Sequence, residues 1–383
     1  MPPITRRTAL KTMAAIAAGA SLPRQLAAMP TVTTSGGRIP LVHLTDLYHP
    51  PQDPDDHVDL ATICALPEYD LRGVVLDVTK KFLVGKPEGW DIPRDPGYVP
   101  VAQLAHLTGR AIPAAMGPIE PLANPGDTAL DRPHAEQAGI GLLLDALRQS
   151  GAPVTISVVG SGRVLAAAFN REPALLKAKT RAVLLNAGAT GGTKREWNTG
   201  LDPSAYVALW RSGLPIHWFP CATDHSAFDP AHERGTYWKT TQAALFRDLP
   251  PGLRAWFCYA FTGAQRGDII RALAESGRGS VWEQVLAGDR NLWATASLVM
   301  GAGRVLARTS EGWRFVPADA AGGLESWPFR LDPVRTTVDE EARVSWQPAE
   351  EPASVRLFGR KPGTGYGVAM AEALNALLRG IPL

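Results

Sequence analysis

Cysteine is scarce in this chain: Cys64, Cys221 and Cys258 are the only three in 383 residues. They are too few and too scattered for a disulfide framework or a zinc knuckle, so a metal, if one is used, has to be held by oxygen. Long apolar runs are missing too. No uninterrupted apolar stretch of about eighteen residues occurs, and no transmembrane anchor is expected. A charge excess is also lacking, with 39 basic against 37 acidic residues and no run of Lys or Arg. Such a chain has no electrostatic footprint for a phosphate backbone, which argues against a nucleic-acid partner. Gly188, Gly191 and Gly192 form a Gly-rich loop without G-x-G-x-x-G spacing at the first strand and without a P-loop Lys-Ser/Thr, so they make a poor nucleotide cradle. Ser161 lacks a nucleophile-elbow context, which disfavours a serine hydrolase.

What is present is a globular composition, 45% hydrophobic and 20% charged, sufficient for a sizeable core. Residues 1–28 hold Arg6, Arg7, Lys11 and Arg24 and no acid. The paired arginines precede a short run of small and apolar residues and then Ala27-Ala28, the layout of a twin-arginine export signal with a cleavage site. Periplasmic or secreted localisation is the expectation.

From Arg38 onward, short runs rich in Val, Ile and Leu alternate with longer helical patterns. Strands are expected at 40–44, 71–76, 112–115, 154–159, 181–185 and 215–219, with helices near 54–66, 99–108, 134–150, 163–169 and 202–212. Alternation of this kind predicts an α/β fold, doubly wound around an open, mostly parallel sheet with helices on both faces. After about residue 235 the pattern turns more helical, and strand-like alternation returns at 334–346. One domain over 38–383, with 310–383 as a C-terminal elaboration, is simpler than two.

Open α/β sheets bind ligands beyond the carboxyl ends of their strands. The first such segment runs Thr45-Asp46-Leu47-Tyr48-His49-Pro50-Pro51-Gln52-Asp53-Pro54-Asp55-Asp56. Four carboxylates within eleven residues suit a hard cation such as Ca²⁺. Helix capping is the alternative: Asp53 as N-cap, Pro54 in the first turn and Asp56 in a capping-box arrangement. Capping leaves Asp46 unexplained, because a carboxylate facing two others at a strand end repels them without a counter-ion.

These residues carry a family resemblance. Thr-Asp at the strand end followed by Asp-Pro-Asp-Asp and an apolar helix (Val58, Leu60, Ala61, Ile63, Leu66) resembles the Asp-rich Ca²⁺ signature of the inosine-uridine-preferring nucleoside hydrolases. The strand Val154 to Val159 running into Gly160-Ser161-Gly162-Arg163 resembles that family's strand and Gly-Pro-Leu-Thr-Asn-like turn. Glu196-Trp197-Asn198, then Leu201-Asp202-Pro203-Ser204-Ala205, is similar to the family's Glu-Phe-Asn and Asp-Pro-Glu-Ala. The three pieces keep their order across residues 40–220.

The resemblance implies Ca²⁺-dependent hydrolysis of an N-glycosidic bond in a ribonucleoside or related glycoside. Asp46 and Asp56 would ligate Ca²⁺ with the Arg163 carbonyl and Asn291, and Asp46 or Asp55 would take a proton from water. Asp55, Glu196 and Asn198 would hold sugar hydroxyls, Asp77 lies near a sugar-contacting position, and Trp293 would stack on the substrate. The departure is at the late His-Asp pair, which aligns best with Arg290-Asn291; an arginine cannot act as an acid near neutral pH. His225 is placed to substitute for that acid, although a lone histidine there more often serves structure. The competing functions are a catalytically impaired sugar- or nucleoside-binding protein and a hydrolase of another carbohydrate linkage. Self-association is left open.

Overall fold

The computed structural model describes residues 37–83, 93–191, 195–264, 267–276 and 279–383. The export segment and Gly192 lie outside the described residues. From residue 37 onward, the first strand β1 (Ile39–Thr45) is buried along all but its first residue. That burial on both faces is why its sequence reads as a nearly continuous apolar run. The helix α1 (Asp55–Ala65) carries the chain to β2 (Tyr69–Leu76), which pairs with β1 in parallel.

A short helix α2 (Lys80–Leu83) and α3 (Tyr98–Thr108) lead to β3 (Ala114–Met116), and α4 (His134–Gln149) leads to β4 (Val154–Val159). Next come α5 (Arg163–Arg171), α6 (Pro173–Lys179), β5 (Thr180–Asn186), α7 (Trp197–Leu201), α8 (Pro203–Arg211) and β6 (Ile216–Phe219). The strands and helices expected through residue 219 are all present, with ends within a few residues of those read from sequence.

The expected shift toward helix follows. A ribbon of β7 (Trp238–Thr241) and β8 (Asp289–Leu292) brackets α9 (Gln242–Phe246), α10 (Pro251–Phe261), α11 (Ile269–Glu275) and α12 (Ser280–Leu286), and α13 (Thr295–Gly301) succeeds it. A small sheet, β9 (Arg304–Thr309), β10 (Gly312–Pro317) and β11 (Glu325–Trp327), packs to one side. The C-terminal strands β12 (Phe329–Val338), β13 (Val344–Pro348) and β14 (Val355–Arg360) extend the main sheet, and α14 (Tyr366–Arg379) closes the described chain.

The main sheet has nine strands in the order β13-β12-β14-β6-β5-β4-β1-β2-β3. Strand β14 joins β6 in parallel, whereas β12 runs antiparallel to both β13 and β14. Two apolar layers sandwich this sheet. One is built by α1, α3, α10 and α14 through Val58, Leu104, Trp256 and Leu374. The other is built by α4, α5 and α8 through Leu143, Leu165 and Val207. The order 3-2-1-4-5-6 reverses direction between β1 and β4, which opens a crevice at the carboxyl ends of those two strands. Among the described residues no helix is long and apolar enough to cross a membrane.

Candidate active site

Asp46 follows the last residue of β1 at this crevice and is only 7% exposed. Gly160, at the end of β4, faces it so closely that a Cβ there would stand 3.4 Å from the Asp46 backbone nitrogen. The loop after Asp46 is pinned by a pair of backbone hydrogen bonds between His49 and Asp95 (2.9 and 2.8 Å) and by Arg94, whose Nε donates to the Pro50 carbonyl (3.1 Å). It ends at α1, whose N-cap is Pro54 with no side-chain capping bond. Asp53 accepts from the Asp55 N–H (3.3 Å), and Asp56 accepts from the Thr45 hydroxyl (2.7 Å). Local bonding at the helix start therefore accounts for Asp53 and for one oxygen of Asp55, whose Oδ1 accepts from the Asp56 N–H (3.0 Å), and leaves Asp46 and Asp56 outside any cap.

Asp46, Asp53, Asp55, Asp56 and Asp59 all line one cleft of about 750 Å³. Burial first, then the Asp77 charge, pushes Asp46 up to about 7. Asp55 and Asp56 are held well above the usual carboxylate range, by burial and then by neighbouring acids. Asp59 is pushed up to about 8 by burial and the Asp53 charge, and its Oδ1 is buried without a hydrogen-bond partner. Arg290 reaches only the outermost member, with NH1 3.2 Å from Asp53 Oδ1. A cluster so reluctant to ionise fits a hard divalent cation, which would favour the charged forms and take carboxylate oxygens as ligands.

Across the cleft, β5 ends in a turn at Gly188, whose φ of +81° is in the left-handed region. A side chain there would run into the Tyr206 hydroxyl, so only glycine fits. Its N–H donates to Glu196 Oε2 (2.7 Å), which also accepts from the Thr199 N–H (3.1 Å); Oε1 accepts from the Asn198 N–H (3.0 Å). Glu196 is thus the N-cap of α7 as well as a cleft residue. Asn198 Nδ2 donates to the Asn186 carbonyl (2.9 Å), which turns its amide into the cleft wall.

The aromatic wall is made by Trp293, Phe228 and Tyr237, whose rings meet pairwise at centroid distances of 5.2 to 5.7 Å. Trp293 and Phe228 line the cleft, and the Trp293 indole N–H donates to the Ala227 carbonyl (3.1 Å). The same segment carries Asp224 and His225, also in the lining, and His232; one ligand-capable atom from each of the three lies within 4.8 Å of the others.

Of the residues singled out from sequence, the fold gathers Asp46, Asp55, Asp56, Glu196, Asn198 and Trp293 around this cleft. Asp77, Arg163 and Asn291 do not line it. Asp77 is fully buried behind Asp46 and accepts from the Ser161 hydroxyl (3.0 Å). The Arg163 side chain is fully buried in an ion pair with Asp202 (2.8 Å) and also donates to the Val78 and Pro118 carbonyls. Asn291 sits on β8, where its Oδ1 accepts from the Tyr237 hydroxyl (2.9 Å). Asp59 was not singled out, although its place four residues after Asp55 puts both on one helix face.

No family model matches the chain. The pyrimidine-specific ribonucleoside hydrolase RihA of Salmonella paratyphi A is 27% identical over 182 residues, covering 42% of this chain and 55% of that protein. The protein of the same name from Escherichia coli O7:K1 is 25% identical over 182 residues, with the same shares. The chain therefore spans about half the length of the curated relatives it matches. Among solved structures, a plant nucleoside hydrolase superposes with a TM-score of 0.50 at 15% identity, covering 89% of this chain and 98% of the other. That likeness is one of fold.

Proposed function

Because the chain is a divergent member of the nucleoside hydrolase superfamily, by sequence and by fold, we propose that it hydrolyses the N-glycosidic bond of a ribonucleoside or related glycoside. The observation that carries this reading is the buried carboxylate cluster at the β1/β4 crevice, facing Asn198 and an aromatic wall in one cleft. Asp46 and Asp56 would hold Ca²⁺, with Asp55 beside them facing the sugar or the water. When bound, that ion supplies positive charge that orients a water and lowers its pKa.

The chain's own groups perform the remaining work. Asp46 or Asp55 takes the proton of the attacking water, the role of a positioned general base. Asn198, and the lone pair of Glu196 Oε1 not used by the Asn198 N–H, hold sugar hydroxyls. The carboxylates stabilise positive charge developing at the anomeric carbon. Trp293 and Phe228 offer flat faces to an aromatic leaving group.

A second reading, a binder of nucleosides that has lost turnover, draws on Arg290. Its Nε donates to Gln242 (3.2 Å) and its NH1 pairs with Asp53, so the position aligned with the family's acid is tied up in structure. Hydrolysis of another carbohydrate linkage remains the third option. Export by the twin-arginine route, with removal of residues 1–28, is a separate proposal that rests on Arg6, Arg7 and the short apolar run after them.

The test is free-sugar release from a panel of nucleosides and aryl ribosides, with Ca²⁺ and with chelator, alongside calorimetry. Release that needs Ca²⁺, with uptake of about one ion per chain, is expected. Tight nucleoside binding without sugar release from any substrate would select the binder. No Ca²⁺ uptake would remove the metal from the reading.

A further inference from the structure

The cleft holds a candidate for the proton donor that Arg290 cannot be. Among the described residues lining it, His225 is the only histidine, and imidazole is the side chain whose ordinary titration falls near neutral pH. His225 lies on the segment after β6, two residues before Ala227, whose carbonyl holds the Trp293 indole N–H. Imidazole and aromatic wall are thus presented by one stretch of chain. The segment is ordered locally: the Thr223 hydroxyl accepts from the His225 N–H (3.2 Å) and the Ser226 N–H (3.3 Å).

Two carboxylates flank the ring. His225 Nδ1 is 3.4 Å from Asp229 Oδ2, and Nε2 is 3.8 Å from Asp224 Oδ2. Asp229 is held below the usual carboxylate range, first by the Ala231 N–H and also by His225 itself, so it is an anion ready to accept from Nδ1–H. That bond leaves Nε2, with Asp224 Oδ2 3.8 Å away, as the nitrogen from which the protonated ring gives its proton. The His232 ring stands 5.2 Å away, edge to face.

The same residues could be read as a site for a transition metal, and the hydrogen bonding argues against it. His232 Nδ1 accepts the Arg234 backbone N–H (3.0 Å), so the proton of the neutral ring is on Nε2, the atom 3.3 Å from Asp224 Oδ1. A ligating imidazole needs the opposite arrangement, a free lone pair toward the metal and an N–H donated behind. The arrangement suits a chain of proton donors and acceptors: His232 to Asp224, and His225 to Asp229.

We propose that His225, oriented by Asp229, protonates the leaving group; this rests on the hydrolase reading above. In that step the C1′–N bond breaks and its electron pair stays with the departing nitrogen, which takes the proton from His225 Nε2. The water oxygen bonds to C1′ and gives its proton to a cleft aspartate. His225, left neutral, regains its proton from solvent, which reaches the ring because it is two-thirds exposed.

The experiment uses the Ca²⁺-loaded enzyme and compares inosine or uridine with a nitrophenyl riboside, whose phenolate leaves without a proton, between about pH 5 and 9. His225→Gln is expected to cut kcat on nucleosides by about 100-fold or more, to cost less than about 10-fold on the nitrophenyl riboside, and to erase the alkaline fall in nucleoside turnover. Asp229→Asn, a positioning change, should move that fall to lower pH with KM little altered. Equal losses on both substrates, or unchanged nucleoside turnover in His225→Gln, would overturn the assignment while leaving the hydrolase reading intact. A wild type that releases sugar from neither substrate would overturn both.

Discussion

The Thr45 hydroxyl donates a 2.7 Å hydrogen bond to Asp56 Oδ1, so the last residue of β1 orients a carboxylate in the first turn of α1. The bond also favours the ionised form of Asp56, against burial and three neighbouring acids, Asp46, Asp55 and Asp59, which push its pKa up. Thr45→Val keeps the shape of the side chain and removes the donor. A hydrogen bond to a charged group is worth about 1.5 kcal/mol or more, so Ca²⁺ binding should weaken by about 10-fold. Calorimetric titration of the variant checks this; an unchanged affinity would mean that Asp56 does not touch the ion.

His43, on β1, is fully buried with Nδ1 3.3 Å from the Ser157 hydroxyl, and burial pushes its pKa down to about 3. Between that value and the unfolded value of about 6.5, the unfolded chain binds a proton that the folded chain refuses. Stability from this group is therefore complete above about pH 6.5 and is lost progressively as pH falls toward 3. His43→Leu should flatten the decline in denaturant midpoint over that window, and an unchanged slope would rule His43 out as its source. The slope is the readout, since the substitution also strands the Ser157 hydroxyl.

Arg163 and Asp202 form an ion pair with both side chains fully buried. Asp202 also caps α8 through the Ala205 N–H (2.9 Å) and accepts from the Leu122 N–H (2.8 Å). Arg163→Met would leave that carboxylate without its cation and should cost about 3–5 kcal/mol in denaturant unfolding. Adding Asp202→Asn should cost less than the sum of the two single changes, because the stranded charge is gone. Strict additivity would show that the pair is not coupled.

The central parallel strands β1 and β4 were legible because they are buried on both faces and bounded by turn residues; β4, Val154 to Val159, is buried throughout. The place of β14 was not. Its sequence, Val355 to Arg360, mixes charges with apolar residues, and its parallel partner β6 lies more than a hundred residues earlier. Sheet membership of that kind is set by tertiary packing rather than by local pattern. The cleft shows the same division. The spacing of Asp46, Asp55 and Asp56 is local and readable, whereas the approach of Asp229 to His225 and the burial of Asp59 depend on the fold.

Export is tested on residues 1–28. Replacing Arg6 and Arg7 with Lys should hold the full-length chain in the cytoplasm of a bacterial host, and the exported wild type should begin after Ala28 on N-terminal sequencing. A wild-type chain found intact in the cytoplasm would defeat the export proposal and leave the catalytic one standing, since the two rest on different residues.

Glu196 and Asn198 separate a structural role from a substrate role. Both Glu196 oxygens accept backbone N–H groups, from Gly188, Asn198 and Thr199, so Glu196→Gln turns one acceptor into a donor facing a donor. It should lower stability by about 1–3 kcal/mol as well as slow turnover. Asn198 gives the fold one side-chain hydrogen bond, from Nδ2 to the Asn186 carbonyl (2.9 Å), whereas its backbone N–H, not its side chain, serves the Glu196 cap. Asn198→Ala should therefore leave the Glu196 cap in place and shift the melting temperature little. Its kcat/KM should nevertheless fall, by about 100-fold if the amide holds a sugar hydroxyl that tightens toward the transition state. Thermal melts and steady-state kinetics on the same preparations distinguish the cases, and an Asn198→Ala enzyme with full kcat/KM would remove that residue from the sugar site.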